Sequence, residues 1–145
     1  MIVASNLTMR YPGGFEAVRD ASFTIDAGGM VFITGHSGAG KTTLVKLIAT
    51  VERPTSGSLV VNGQNLSALR RSALPYVRRH FGMIFQDLNL FDHLTALENV
   101  QIGLVRVKKT PKLQARERAL AELARVGLAE HVSKYPAELS GGQQQ

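Results

Sequence analysis

Residues 35–42 read Gly-His-Ser-Gly-Ala-Gly-Lys-Thr, a G-x-x-x-x-G-K-[ST] pattern whose residue types suit the holding of a chain of phosphates. Glycines at 35, 38 and 40 let the backbone curl so that successive N–H groups point inward at phosphate oxygens. Gly35, His36, Ser37, Gly38, Ala39 and Gly40 are therefore the expected cradle, with His36 facing solvent rather than acting as a catalyst. Lys41 offers a point charge to the β- and γ-phosphates, Thr42 offers a hydroxyl to Mg²⁺, and Thr43 completes the first helical turn behind them. Two further groups are chemically suggestive. Gln86 closes the apolar run Phe81–Phe85, and Leu139-Ser140-Gly141-Gly142-Gln143 follows the helical stretches near the end of the sequence.

These groups need elements to position them. Apolar residues alternate or cluster over Ile2–Thr8 and Ala21–Ile25, two predicted strands separated by the turn Tyr11-Pro-Gly-Gly14. Ala27-Gly-Gly29 is a second turn, and Met30–Thr34 reads as a short buried strand leading into the glycine loop. The loop should open a helix over Lys41–Thr50 that turns Leu44, Leu47, Ile48 and Val51 to one face. Pro54-Thr-Ser-Gly57 stops that segment, and Ser58–Asn62 returns as a strand ending in Asn62-Gly63. Arg70–Arg79 is helical in texture but interrupted by Pro75, and Phe81–Phe85 is another apolar strand. Beyond residue 90 the spacing becomes helical over Thr95–Leu104 and Leu113–Val126, with Gly127 as a stop and a shorter helix over Ala129–Tyr135. The expected layout is an α/β core over residues 1–90 and a helical subdomain over 91–145.

Composition sets bounds on the reading. The chain has 145 residues, 44% of them hydrophobic and 19% charged, enough for one core and unlike a disordered or membrane-embedded chain. No run approaches the ~18 apolar residues that a membrane span needs, and the first ten residues lack the pattern of a signal peptide. Without cysteine there is no disulfide framework and no thiolate metal site, which suits the cytoplasm. The formal charge of +6 concentrates at Arg70, Arg71, Arg78 and Arg79 and between Arg106 and Arg118. No aromatic residues interleave those cations as stacking platforms, so a solvated face or an anionic membrane surface is preferred and no nucleic acid is expected.

The phosphate loop, Gln86 at the end of an apolar run, and Leu139–Gln143 closing a helical lobe resemble, in order and spacing, the nucleotide-binding domain of ABC ATPases across essentially the whole chain. The resemblance implies the P-loop NTPase fold, ATP and Mg²⁺ as cofactors, and ATP hydrolysis as the activity. By the same likeness Gln86 senses Mg²⁺ and attacking water, and Tyr11 stacks on adenine. Ser140, Gly141, Gly142 and Gln143 resemble the signature segment that meets the γ-phosphate held by a second copy, so a homodimer of ATPase domains is implied. A membrane permease-like subunit is the implied partner, and the implied location is peripheral, at the inner face of the cell membrane.

A narrower likeness, carried by Tyr11–Gly14, Glu52-Arg-Pro54 and Arg78-Arg79 before Phe85-Gln-Asp87, points to the cell-division branch of the family, whose permease-like partner is FtsX. That branch usually has Glu at the place of Gln143 and often Ser at the place of Thr42; lipoprotein-releasing and macrolide-exporting relatives are the alternatives. A third alternative is a non-hydrolytic nucleotide-binding fragment. No apolar run after Phe85 ends in Asp-Glu, Asp87 follows Gln86 rather than closing such a run, and His93 and His131 fall in the helical lobe. On the resemblance, the second Mg²⁺ ligand, the water-orienting carboxylate and the switch histidine are therefore missing. The chain is expected to be an N-terminal portion truncated before the Walker B strand and inactive alone.

Overall fold

A computed structural model describes residues 1–145, which divide into two compact units, Met1–Met83 and Ile84–Gln145. In the first unit, β1 (Ile2–Arg10), β2 (Glu16–Ile25), β3 (Ser56–Val61) and β4 (Gln64–Asn65) form an antiparallel sheet in the order β2-β1-β3-β4. The register pairs Ile2 with Ile25 and Ala4 with Phe23 on one side of β1, and Val3 with Val60 and Ala4 with Leu59 on the other. Paired bulges bend β1 and β2 together at Asn6 and Asp20, both at positive φ, where Asn6 Nδ2 donates to Asp20 Oδ1 at 2.6 Å. Gly57 must be glycine. Its φ is +83°, and a Cβ there would stand 2.2 Å from the Asn6 carbonyl oxygen.

Helix α1 (Lys41–Ile48) packs Leu47 into a core with Leu7 and Leu59, the three largest side chains wholly removed from solvent, joined by Ala4, Met9, Val18, Leu66 and Val77. A buried leucine of this kind contributes about 2–5 kcal/mol relative to alanine, so the sheet and α1 hold each other in place. The carboxyl end of α1 is closed from outside, as Arg78 Nη2 and Nε donate to the Thr50 carbonyl at 2.7 and 3.2 Å. Arg78 sits on α2 (Leu74–Arg78), where Pro75 lies in the first turn and starts the helix rather than interrupting it. Asn62 and Gly63 at positive φ turn β3 into β4, a short strand not anticipated from the sequence.

Two expected strands do not form. Met30–Thr34 and Phe81–Phe85 are irregular, with Met30 85%, Phe32 79% and Ile84 76% exposed. Runs that are apolar on both faces belong between neighbouring strands, and no segment of this chain pairs with either. Met30–Thr34 is left uncovered, as expected for a run without partners, whereas in the second run Ile84 is exposed while Phe81, Met83 and Phe85 are half-buried and Phe81 packs against the core. Helix α1 also ends earlier than anticipated, and Val51 lies outside it, 41% exposed.

The second unit is built on a helical hairpin of α3 (Ala96–Arg106) and α4 (Lys112–Arg125). Ala115, Ala119 and Leu123, four residues apart, form the buried stripe of α4, and the two alanines let the helices approach closely. Thr95 and Glu98 form a reciprocal capping box at the start of α3, and the carbonyls of Lys134 and Val132 accept from the next free amides, Ala96 and Leu97. Gly127 at φ +77° ends α4 as anticipated. The expected helix over Ala129–Tyr135 is reduced to a single 3₁₀ turn at Ala129–His131, because the segment's carbonyls are committed to α3. A four-residue α5 (Gly141–Gln144) follows Ser140.

Candidate nucleotide-phosphate site

Gly40 is the N-cap of α1 at φ +83°, and a Cβ there would lie 2.0 Å from the Ala17 carbonyl of β2. Only glycine allows the loop to pass that close to the sheet, so the start of α1 is fixed against β2. Gly38 is also left-handed, at φ +82°. The Ala39 amide donates to the His36 carbonyl at 3.2 Å and closes the curl, while exposed His36 donates from Nδ1 to the Ser37 carbonyl at 2.7 Å. A cavity of about 220 Å³ opens here, lined by Ser37–Thr43 together with Phe15 and Ala17.

Lys41 Nζ is turned into the loop and donates to the carbonyls of Gly35 at 2.8 Å and His36 at 2.7 Å. Its ammonium is thus already placed among the loop's backbone groups. Thr42 is exposed and lines the cavity, whereas Thr43 is buried with its hydroxyl 3.3 Å from the Tyr11 hydroxyl. A hard oxygen donor beside a lysine and a left-handed glycine loop is a donor set that fits a polyphosphate with Mg²⁺ at Thr42.

Tyr11 is half-buried against the core and tied to Thr43. The aromatic ring that reaches the cavity is Phe15, 61% exposed at the end of the Gly13-Gly14 turn. Sequence reasoning missed Phe15; its place directly after two glycines and before β2 was the available signal. Beside it, hydrogen bonds from Arg10 and then Arg19 hold the Glu16 carboxyl below the usual carboxylate range.

The remaining expected site residues belong to the second unit. Gln86 is exposed in a turn, closed where the Leu88 amide donates to the Phe85 carbonyl at 3.1 Å, and not at a strand end. Ser140 caps α5 in a reciprocal box: its Oγ accepts from the Gln143 amide at 3.4 Å, and its own amide donates to Gln143 Oε1 at 2.9 Å. Gly141 and Gly142 are exposed, with open space where a Cβ would stand. Gln144 Nε2 anchors the segment by donating to the carbonyls of Pro136 at 2.8 Å and Leu139 at 3.1 Å. Gly142 and Gln143 edge an apolar groove of about 470 Å³ whose walls include Leu90, Val100, Leu123 and Leu139.

The fold and loop are those of an ABC-type nucleotide-binding cassette, and comparison with known proteins agrees. The ABC transporter family profile matches residues 18–145. The chain is 44% identical over 149 residues to the macrolide export ATP-binding/permease protein MacB of Burkholderia pseudomallei, covering 100% of this chain and 23% of that protein. It is 40% identical over 145 residues to the cell division ATP-binding protein FtsE of Escherichia coli K12, covering 100% of this chain and 65% of that one. Among solved structures, the post-hydrolysis dimer of the ATP-binding cassette MJ0796, bound to ADP and Pi, superposes with a TM-score of 0.89 at 33% identity over 99% of this chain and 65% of that chain. The chain belongs to the ABC transporter family of ATP-binding domains. It spans less than two thirds of the length of these relatives.

Proposed function

We propose that this chain supplies the nucleotide-binding part of an ATPase subunit that couples ATP binding and hydrolysis to a membrane partner, as FtsE with an FtsX-like permease in cell division. The observation that carries the reading is the Lys41 ammonium held inside a left-handed glycine loop at the mouth of a small cavity. With nucleotide bound, Lys41 would exchange its two carbonyl contacts for phosphate oxygens and the free amides of the loop would orient the β- and γ-phosphates. The Thr42 hydroxyl would hold Mg²⁺, which would supply neutralisation of phosphate charge. Phe15 meets the base, Tyr11 supports the site from behind through Thr43, and Gln86 positions the attacking water.

In this reading two copies sandwich two nucleotides, each loop facing the partner's Ser140-Gly-Gly segment, and the assembly is peripheral at the inner face of the membrane. A macrolide-export role is the second reading, favoured by an identity to MacB at least as high as that to FtsE. Co-purification with a four-span FtsX-like protein rather than a fused permease would favour the first. Calorimetry of Lys41→Ala tests the site itself. ATP–Mg²⁺ affinity falls tenfold to a hundredfold or more, matching the roughly 1.5–3 kcal/mol of a charge-assisted hydrogen bond. Unchanged affinity would reject the phosphate-loop assignment.

A further inference from the structure

The closed end of the α3–α4 hairpin carries Arg106, Lys108, Lys109, Lys112 and Arg116, all exposed, with no carboxylate between Arg106 and Arg116. None of the five is ion-paired; the protein's pairs are Arg10 and Arg19 with Glu16, and Arg125 with Glu122. A solvated basic face would explain cations alone. It does not explain Val107 and Leu113, which stand among them 43% and 72% exposed. Nor does it explain the start of α4, which opens on Lys112 with no acidic residue in its first turn and no side-chain cap. Cations at that end of a helix oppose its dipole, where Asp or Glu would add stability. The loop is also held in one shape. Lys109 adopts φ +58°, the Lys108 amide donates to the Gly103 carbonyl at 3.2 Å, and the Thr110 amide donates to the Leu104 carbonyl at 3.0 Å.

A rigid tip that mixes unpaired cations with exposed aliphatic side chains suits a surface that is anionic outside and apolar just beneath. We infer that this hairpin end docks directly on an anionic bilayer, the cations meeting lipid phosphates while Val107 and Leu113 enter the headgroup layer. Nucleic acid fits less well, since residues 106–118 contain no aromatic ring on which a base could stack. The inference rests on the membrane-complex reading for its setting only; the lipid contact is separate from any permease contact and from the nucleotide loop.

Vesicle co-sedimentation of the whole chain tests it, using phosphatidylcholine vesicles with and without 30 mol% phosphatidylglycerol, together with a short single-stranded oligonucleotide as competitor. The parent should partition at least tenfold more strongly onto the anionic vesicles, and rising salt should release it. Each cation near an anionic leaflet contributes about a fivefold factor, so Lys108→Glu/Lys109→Glu/Lys112→Glu should lower partitioning at least tenfold while ATP binding is retained. Leu113→Gln should lower it severalfold with every charge intact. Lys41→Ala should leave it unchanged, which separates this inference from the nucleotide site. Equal partitioning of parent and triple variant would overturn the inference, as would no preference for anionic over neutral vesicles. Displacement by the oligonucleotide at equimolar phosphate would also overturn it and assign the patch to nucleic acid.

Discussion

Lys41 is held within the glycine loop. Its Nζ donates to the Gly35 and His36 carbonyls, which pairs its charge beside the positive end of α1. Gly40 fixes the loop to the sheet, so Gly40→Ala should both lower the melting temperature and abolish nucleotide binding, because the new methyl group collides with the Ala17 carbonyl. Differential scanning fluorimetry with and without ATP reads both effects. The two aromatic residues differ in kind. Tyr11 is part of the packing through Thr43, whereas Phe15 is free to meet a base. Phe15→Ala should weaken ATP binding severalfold, within the roughly 1–3 kcal/mol that stacking on a base supplies, and leave inorganic triphosphate binding unchanged. Tyr11→Ala should instead cost stability as well as affinity. If Phe15→Ala binds ATP and triphosphate like the parent, Phe15 is only a neighbour of the site.

Helix starts are where local sequence decides most in this chain. In the α3 capping box the Thr95 amide and then its hydroxyl donate to Glu98, holding that carboxyl below the usual carboxylate value. A depressed folded value means that the contribution is complete above the ordinary carboxylate value, about pH 4.3, and is lost as pH falls through the lower folded one. Amides Leu97–Asn99 should therefore lose hydrogen-exchange protection in acid below about pH 4.3, and Glu98→Gln should remove that pH dependence. Thr95→Ala should cost about 1 kcal/mol in urea unfolding. Features written locally were legible in the sequence for the same reason: the glycine loop, the helix it opens, the Asn62-Gly63 turn and the Gly127 stop all follow from residues adjacent in the chain. Features that depend on distant neighbours were not. Met30–Thr34 and Phe81–Phe85 have strand composition, but composition does not supply the partner strands that would bond their backbones. Arg78, notable in the sequence only as part of a basic pair, caps α1 across 28 residues of chain. Phe15 was overlooked because Tyr11 matched the expected position for an aromatic ring.

For the molecule as a whole, binding and hydrolysis are expected to separate. The loop is proposed to supply ground-state contacts, and no carboxylate after Phe85 closes an apolar run where it could orient water. Phosphate release by purified chain should stay at background; a steady release that scales with protein and vanishes in Lys41→Ala would identify an overlooked carboxylate, with Asp87 the first to replace. Assembly is tested at Ser140. In a version that includes the remaining length of its relatives, Ser140→Arg should block ATP-driven dimerisation in light scattering and leave monomer nucleotide binding nearly intact. Exposed Met30, Phe32 and Ile84 should make the 145-residue chain poorly soluble, and replacing Phe32 and Ile84 by serine should raise the soluble fraction.

The strand order has a further consequence. The irregular, exposed stretch around Phe32 is the natural place for a chymotryptic nick, and the cut would fall between β2 and the glycine loop. The central strand β1 lies on the amino-terminal side of that cut and is hydrogen-bonded to β3 on the other side. The two pieces should therefore stay together after cleavage, and a nicked preparation would run as two bands under denaturing conditions but elute as one species. Separately expressed pieces, divided near residue 32, should reconstitute the sheet through β1–β3 pairing and the shared core of Leu7, Leu47 and Leu59, turning this domain into a split reporter whose reassembly is read by recovery of nucleotide binding.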